Sequence, residues 1–344
     1  MANVYRADQP GSLIAPPPPA ASGSAGVQVV KALLAMQKEC GIDVVTDGQV
    51  LRASPCSIFV DHVAGVRSDS EGATPSLPYV AGPLERKARL TAAEVDLLGS
   101  AATAAFKITL PAPTVAAAQM FRDGITEAHY PTRRDLAVAL AAILREEIQD
   151  LIAEGVPYIQ LDGPAYEQAA DRNGAARLGD VEEMLRLDAE ALKDLRKPEK
   201  IALAIRLPRA RDAGGVTPRT DASPQKRAAM LEAALTRLPA DRFLIEFPAE
   251  PTEADFAPLR AMPAGRKAVL GLVDPLAPRA DAVDPLLDQL DLAVNFADAQ
   301  QLALSPRRGF AEPPAAQDSQ AFEAQRRSLT LTVEAARRFW GFET

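Results

Sequence analysis

The sequence predicts a single (β/α)8 barrel of the α/β class, and three observations support this. Eight short apolar runs can be identified, and amphipathic helical patterns lie between most of them. The length of 344 residues fits eight β/α repeats in one domain with a full core. The run at 158–162 follows a long amphipathic stretch and ends in Asp162 before Gly163 and Pro164. Such barrels place active-site acids in this way, at the carboxyl end of a buried strand.

The predicted strands and helices alternate along the whole chain, which we treat as one domain over 1–344. Strands are predicted at 4–8, 43–47, 104–110, 158–162, 201–207, 242–247, 268–273 and 302–305. Helices are predicted at 26–40, 114–121, 133–153, 181–195, 223–238, 255–262, 284–292 and 320–340. Several ends carry recognisable signals. Ser223 is an N-cap followed by Pro224, Thr91 and Thr132 are further cap candidates, and Gly41 and Gly155 stand where a left-handed helix end is expected.

One segment, 53–103, interrupts this alternation. It lies between the second and third predicted strands and holds His62, many small polar residues and one short predicted helix at 92–98. We interpret it as a long insertion, a hairpin that covers the barrel mouth.

The composition excludes several classes of function. A formal net charge of −8, with Lys and Arg scattered along the chain, argues against a nucleic-acid partner. No apolar run approaches the roughly 20 residues that span a bilayer, and the N-terminus lacks a secretion signal. Cys40 and Cys56 could pair, but two free thiols in a cytoplasmic protein are favoured. We expect a cytoplasmic protein, and a homodimer stays open.

Polar residues stand at the carboxyl ends of most predicted strands, which in a barrel share one cavity. Each has a simpler interpretation, since a strand-end residue can merely cap a loop or a helix. Asp162 is harder to dismiss, because a carboxylate at the end of a buried strand must be paired or solvated. The candidate catalytic residues are Asp162, Arg206 and Glu246, and the candidate substrate-binding residues are Gly11, Ser12, Gln49, Arg52, Lys107, Tyr166 and Arg308.

Arg206 and Glu246 pose a question of charge, because each interrupts an apolar strand. An arginine at an inward position needs an acidic partner or an anionic ligand. The simplest solution is that Arg206, Glu246 and Arg308 pair with one another across the barrel. Whether they also bind substrate stays open at this point.

Five segments, in this order, resemble the cobalamin-independent methionine synthase family, in particular its short members that correspond to the catalytic C-terminal half. The family's opening strand reads Arg-Ala-Asp-His-Val-Gly-Ser, its second motif Thr-Asp-Gly-Glu, its fourth Ile-Gln-Leu-Asp and its last Leu-Ser-Pro-x-Cys-Gly-Phe. The matching segments here are 5–13, 45–49 with Arg52, 107–113 (the family's third-strand turn), 159–162 and 304–310. The resemblance spans nearly the whole chain and implies the same barrel.

The resemblance also implies a chemistry. Enzymes of the family transfer a methyl group, from methyltetrahydrofolate or another donor, to the sulfur of homocysteine. A zinc ion held by His, two Cys and Glu binds that sulfur and lowers its pKa, so that the thiolate nucleophile forms at neutral pH. The positions of Gly11, Ser12 and Asp162 match those that bind the amino-acid part of homocysteine in the family.

This chain departs from the family where the zinc would bind. The four ligand positions read Ala204, Arg206, Glu246 and Arg308, so three of the four ligands are absent. Two arginines also oppose a divalent cation electrostatically. We therefore predict no metal site and no zinc cofactor, and a folate donor has no support from the residues. Gln49 also replaces the Glu that holds the substrate's amino group in the family.

These observations lead to one leading hypothesis and two competing ones. The leading hypothesis is a zinc-independent enzyme of this superfamily that acts on a small anionic substrate, as a divergent methyl or alkyl transferase or as a lyase. Asp162 would be the acid/base or the amine anchor, Arg206 and Arg308 would bind the anion, and Glu246 would orient them. Uroporphyrinogen decarboxylases, which share the barrel without zinc, offer an analogy only. The competing hypotheses are a non-catalytic barrel with a salt-bridge cluster in place of the metal, and a true homocysteine methyltransferase.

Overall fold

The computed structural model describes residues 5–17, 25–69, 77–166, 180–209, 223–275, 283–312 and 318–341. The start of the first predicted strand and the centre of the insertion, at 70–76, lie outside these ranges.

Seven parallel strands form one sheet in the order in which they follow along the chain. Most of their side chains are buried and apolar, as expected for parallel strands covered by helices, although Lys107, Gln160 and Arg242 are buried polar exceptions. Six of the eight predicted strands are found within one residue of the predicted ends, and a seventh, the second along the chain, is shorter than predicted. The strands are β1 (Val44–Val45), β4 (Ala105–Pro111), β5 (Tyr158–Asp162), β6 (Ala202–Leu207), β7 (Arg242–Glu246), β8 (Lys267–Val273) and β9 (Leu302–Pro306).

The first predicted strand takes a different form. It makes a single parallel bridge, between Ala7 and Leu304 of β9, and the backbone N–H of Asp8 donates to the Leu304 carbonyl at 2.9 Å. On its other side, the carboxylate of Asp43, just before β1, accepts from the backbone N–H of Arg6 at 2.6 Å and of Ala7 at 2.8 Å. The parallel α/β architecture is therefore confirmed. An eighth strand that pairs fully with both neighbours, and so closes the barrel, stays a prediction. In the described residues, the Asp43 side chain takes the place of backbone pairing between the first predicted strand and β1.

Nine helices are present in the described residues, and most follow the predicted ranges. They are α1 (Ala25–Cys40), α2 (Ala92–Ala101), α3 (Pro113–Met120), α4 (Arg133–Ala153), α5 (Val181–Leu192), α6 (Pro224–Arg237), α7 (Glu253–Phe256), α8 (Val283–Ala293) and α9 (Ser319–Trp340). The helix predicted at 255–262 is instead α7 followed by a 3-10 turn, Ala257–Ala261, which has Pro258 in its first turn. Proline lacks the N–H that would continue the α-helical hydrogen bonds.

The cap predictions have different outcomes. The side chains of Ser223 and Thr132 accept from the backbone N–H three residues later, as N-caps do. Thr91 precedes α2 but makes no side-chain cap bond, and its hydroxyl donates to Glu147 Oε1 at 2.7 Å. Gly41 and Gly155 have positive φ angles of 80° and 79°, as predicted for helix ends.

The insertion contains an antiparallel hairpin, β2 (Val63–Ser68) and β3 (Pro78–Arg86), which packs against α3 and α4. Its exit is held by Glu147 of α4, a fully buried carboxylate that accepts from the backbone N–H of Leu90 at 2.9 Å and from Arg86 at 2.6 Å. These contacts explain how a polar insertion stays attached to the helical layer. That the insertion covers the barrel mouth stays a prediction. In the part of the chain that the structure describes, none of the helices has the length and apolar character needed to cross a bilayer.

Candidate functional site

Asp162 ends β5 and is the centre of a polar cluster. Its Oδ1 accepts a hydrogen bond from Gln160 Nε2 at 2.8 Å, and its Oδ2 accepts one from Gln49 Nε2 at 3.2 Å. Burial raises the pKa of Asp162, while the positive charge of Arg206 and the two amide donors lower it, and the net shift is upward. Arg206 and the two amide donors therefore favour the carboxylate form of Asp162, whereas burial disfavours it.

Gln49 and Gly11 reach Asp162 from two other strand ends. Gln49 adopts a left-handed backbone conformation (φ 59°), and its Nε2 also donates to Thr109 Oγ1 at 2.8 Å. Gly11 has φ 130°, and a Cβ at this position would lie 3.2 Å from Thr109 Cγ2 and 3.5 Å from Gln49 Nε2. Only glycine fits both the angle and the space. The structure thus brings together Gly11, Gln49 and Asp162, as the convergence of strand ends predicts.

Ser12 carries a polar atom in need of a partner. Its Oγ is buried and has no hydrogen-bond partner among the described residues. It lies against the segment after β9, since a Cβ built on Gly309 would be 2.0 Å from Ser12 Oγ and 2.9 Å from Glu312 Oε1. A buried hydroxyl without a partner costs about 1–3 kcal/mol, which a bound polar group would recover.

Arg206 of β6 forms an ion pair with Glu312, a residue that the sequence analysis did not select. The Nη1–Oε1 distance is 2.6 Å, and the side chains are 14% and 29% exposed. Burial acts to lower the pKa of Arg206, but the carboxylates of Glu312, Asp162 and Glu246 outweigh it and raise the pKa. Arg206 is therefore a permanent cation beside Asp162, and its pair joins the ends of two strands that are not neighbours in the sheet.

Glu246 and Arg308 are both buried, with 8% and 7% of their surface exposed. Glu246 accepts a hydrogen bond from the backbone N–H of Arg209 at 3.1 Å and contributes to the negative field around Arg206. That Arg206, Glu246 and Arg308 pair with one another stays a prediction. The acid that makes the ion pair with Arg206 is Glu312.

The ammonium group of Lys107 is fully enclosed by protein atoms. Its Nζ lies 2.6 Å from Asp8 Oδ1, 2.6 Å from the Gln9 carbonyl and 3.0 Å from Gln160 Oε1. The three N–H groups of this ammonium each have a protein acceptor, so none is left to donate to a substrate. Lys107 therefore contributes to the structure of the site through Asp8 and Gln160.

Arg52 is similarly occupied. Its Nε donates to Glu94 Oε1 at 2.6 Å and its Nη1 to the Thr109 carbonyl at 2.9 Å, and its side chain is 6% exposed. A guanidinium that is bound to a carboxylate and a backbone carbonyl orients the loop after β1. The geometry supports a bracing role for Arg52 more than direct contact with a ligand.

Tyr166 follows β5, and its hydroxyl is directed toward the helical layer. It donates to Asp188 Oδ2 of α5 at 2.7 Å, and Asp188 also accepts from the backbone N–H and the hydroxyl of Thr114. Tyr166 also lines a cavity of about 270 Å³ beyond β6 and β7, together with Glu246 and Arg209. Tyr166 therefore borders this cavity, while its hydroxyl hydrogen is used by Asp188.

The Asp188 carboxyl predicts a measurable pH dependence of stability. Burial raises its pKa from 3.8 to about 6, and its three donors oppose the rise only in part. The folded protein keeps a proton that the unfolded chain loses, so this stabilisation is complete below the unfolded pKa and disappears as the pH rises through about 6. Relative to Asp188→Asn, the wild-type free energy of unfolding should fall by about 2 kcal/mol between about pH 4 and pH 7. Urea titrations of both proteins test this, and parallel pH curves would contradict it.

The residues at the family's zinc positions do not fit a zinc ion. Ala204 has no donor atom, Arg206 and Arg308 are cations, and only Glu246 could act as a ligand. The thiols of Cys40 and Cys56 bond instead to the Arg326 carbonyl and to Gln119 Oε1. Within the described ranges, no three His, Cys, Asp or Glu side chains are grouped as metal ligands.

Comparison with known proteins shows which family the chain is related to. Residues 21–194, about half of the chain, match the family model described as the catalytic domain of cobalamin-independent synthases. A 5-methyltetrahydropteroyltriglutamate–homocysteine methyltransferase of Herpetosiphon aurantiacus is 31% identical over 144 residues, which are 40% of this chain and 18% of that protein. A methionine synthase of Sulfolobus acidocaldarius is 28% identical over 137 residues, or 37% of this chain and 38% of that protein. The matches therefore cover much less than two thirds of either relative.

Two solved structures share the fold over nearly the whole chain. One is a B12-independent methionine synthase from Shewanella sp. W3-18-1 in complex with selenomethionine, with a TM-score of 0.73, 22% identity and 98% of both chains covered. The other is a putative vitamin-B12-independent methionine synthase from Listeria monocytogenes, with a TM-score of 0.73 and 20% identity over 99% of this chain and 100% of that chain.

Proposed function

Since the chain belongs to the cobalamin-independent synthase catalytic-domain family, we propose that it is an enzyme of this family that acts without zinc on a small anionic substrate. The substrate we favour carries an amino group as well as a carboxylate. It would bind at the carboxyl ends of β5, β6 and β9.

One observation carries the proposal: Asp162, Arg206 and the buried Ser12 hydroxyl are grouped with complementary roles. Asp162 is a carboxylate held by two amide donors, which suits a substrate ammonium group. Arg206 is a permanent cation that can bind a carboxylate in two places at once. The Ser12 hydroxyl has no partner among the described residues and would gain one. The selenomethionine complex of the Shewanella protein supports an amino-acid-like ligand in this fold.

The proposed chemistry follows from two features of the site: its residues do not fit zinc, and it keeps Asp162. Because the residues do not fit zinc, a thiol would not be ionised by a metal, and a substrate that needs such activation is disfavoured. Asp162 can accept or return one proton at the substrate's amino group or at a neighbouring carbon. Two reaction types agree with this: transfer of a methyl or alkyl group to a nucleophile that needs no metal, and lyase chemistry in which Asp162 moves the proton.

Metal analysis combined with ligand binding tests the proposal. Protein purified without chelator should contain far less than one zinc ion per chain, and L-methionine, used as the probe, should bind equally well before and after chelator treatment. One tightly bound zinc ion per chain, or binding of L-methionine that chelator abolishes, would refute zinc independence. Failure of L-methionine to bind under any condition would count against the amino-acid-like substrate.

The second candidate is a non-catalytic barrel, and the Arg206–Glu312 ion pair is the observation in its favour. In that case the pair would merely fill the place that the metal occupies in the family. A third candidate, a homocysteine methyltransferase, is tested by an assay with methyltetrahydrofolate and homocysteine. We expect no turnover in that assay, because three of the four zinc ligands are replaced.

A further inference from the structure

Asp162 is connected to a series of buried, hydrogen-bonded polar side chains. The side chain of Lys107 is 0% exposed, and so is that of Asp8, with which it forms an ion pair at 2.6 Å. The same ammonium group lies 3.0 Å from Gln160 Oε1, and Gln160 in turn lies 2.8 Å from Asp162. Lys107 therefore reaches Asp162 through one side chain, that of Gln160.

The hydrogen-bonding partners of Gln160 determine the positions of its amide oxygen and nitrogen. An ammonium group can only donate, so the Gln160 atom that faces Lys107 must be the oxygen. The amide nitrogen then faces the opposite way, toward the Pro10 carbonyl at 2.6 Å and Asp162 Oδ1 at 2.8 Å. Both of these are acceptors, so the flipped amide would place oxygen against oxygen at two contacts and nitrogen against nitrogen at the third.

We propose that Lys107 is a positioning residue for Asp162: together with the Pro10 carbonyl it fixes the orientation of the Gln160 amide, so that Gln160 donates a hydrogen bond to Asp162. The donated bond favours the carboxylate form of Asp162, the form that binds a substrate ammonium group. The proposal about Lys107 concerns the protein alone, and only its consequence for substrate rests on the proposed function.

A second physical route connects Lys107 with Asp162, and it must be separated from the first. Lys107 and Asp162 also attract each other through space, as Asp162 does with Arg206 and Arg52, while Glu312 repels it. Removing the Lys107 charge would disfavour ionised Asp162 by either route. The two routes differ in their dependence on Gln160, because only the amide route requires that side chain.

Carboxyl NMR of protein labelled with ¹³C in its aspartate side chains measures the effect without any substrate. The Asp162 signal is the one that Asp162→Asn removes. Lys107→Met should raise the Asp162 pKa by about one unit, since the Gln160 oxygen loses its cationic partner and the amide holds its donor less firmly against Asp162. Lys87→Met is the matched control: it removes the same charge from a side chain that is 52% exposed, and it should leave the Asp162 pKa unchanged.

A double-mutant cycle decides between the two routes. Gln160→Leu alone should also raise the Asp162 pKa, because it removes the donor. In the Gln160→Leu background, Lys107→Met should then raise the Asp162 pKa clearly less than it does in the wild-type background, because only the attraction through space remains. A shift of the same size with and without Gln160 would show that Lys107 acts by charge alone and would overturn the proposal. No shift in Lys107→Met would overturn it as well.

The Lys107→Met substitution can also impair folding. Lys107→Met leaves the buried carboxylate of Asp8 with fewer counter-charges, although Tyr158 still donates to it at 2.7 Å. If Lys107→Met does not fold, the Asp8→Asn/Lys107→Met double variant removes both charges of the pair and permits the same measurement. Because the readout comes from the resting protein, a failed substrate search would not affect it, and an unchanged Asp162 pKa would not refute the proposed function.

Discussion

Replacing Asp162 by asparagine is expected to weaken the binding of L-methionine about 100-fold, a loss of about 2.8 kcal/mol. Asparagine keeps the shape of the side chain but loses the charge that attracts the ammonium group, and its amide nitrogen would face the donor of Gln160 or Gln49. Isothermal titration calorimetry of wild type and variant at one ionic strength measures the change.

The pH dependence of binding provides an internal check on that result. The pKa of Asp162 is raised above 3.8 by burial, so the wild-type affinity should begin to fall, as the pH is lowered, earlier than for an ordinary carboxylate. The asparagine variant should lack this acidic limb. A methionine analogue without the amino group should bind wild type and variant alike, since it never contacts the charge.

Asp274 offers a matched control for the same substitution. It also follows a strand, β8, but its carboxylate is paired with Arg307. Asp274→Asn should therefore change L-methionine affinity less than about threefold, or about 0.7 kcal/mol. Equal losses of L-methionine affinity in Asp162→Asn and Asp274→Asn would mean that any acid near the strand ends attracts the ligand through its charge alone. The specific role of Asp162 would then be refuted.

The fold could be predicted from the sequence because each central strand is a short apolar run between amphipathic helices. The β7 strand is buried at all five positions, and its sequence shows this as an apolar run that ends in Glu246. The convergence of Gly11, Gln49 and Asp162 followed from one geometrical rule, that parallel strands end at the same edge. The first predicted strand illustrates the limit: its apolar pattern is correct, but the carboxylate of Asp43 takes two of its backbone N–H groups.

The pairing of charges could not be predicted in the same way. Glu312 lies in a loop after β9, where no periodicity marks it, and its contact with Arg206 arises only when the loop returns over the strand ends. Lys107 was predicted to bind substrate because it precedes a strand end, yet its partner Asp8 lies 99 positions earlier in the chain. A sequence shows that a buried charge needs a partner, but the choice among several acids depends on loop geometry.

The Arg206–Glu312 ion pair separates the enzyme hypothesis from the non-catalytic one. If Arg206 is the carboxylate receptor, Glu312 occupies it in the absence of ligand and must be displaced when a substrate carboxylate binds. Glu312 is 29% exposed and sits on a loop, so its displacement does not require the sheet to open. If the pair only fills the former metal position, both residues serve stability and neither should influence a ligand.

The two hypotheses predict different outcomes for two single variants that break the same ion pair: the enzyme predicts changes in affinity, and the non-catalytic barrel predicts none. For the enzyme, Glu312→Gln should raise L-methionine affinity about tenfold, or about 1.4 kcal/mol, because the carboxylate no longer competes with a charged side chain. Arg206→Leu should abolish measurable binding. Calorimetry with L-methionine checks both, and L-methioninol, which lacks the carboxylate, is the matched ligand whose affinity for the Gln variant should stay unchanged.

Thermal unfolding of the same variants completes the argument. Both substitutions should lower the melting temperature somewhat, because each leaves one partly buried charge without its partner. A shared loss of stability therefore cannot distinguish the hypotheses, whereas a gain of affinity in one variant and a loss in the other can arise only if Glu312 and the ligand compete for Arg206. Equal affinities in Glu312→Gln, Arg206→Leu and wild type would instead show that the ion pair is structural, and the non-catalytic barrel would then be the better account of this site.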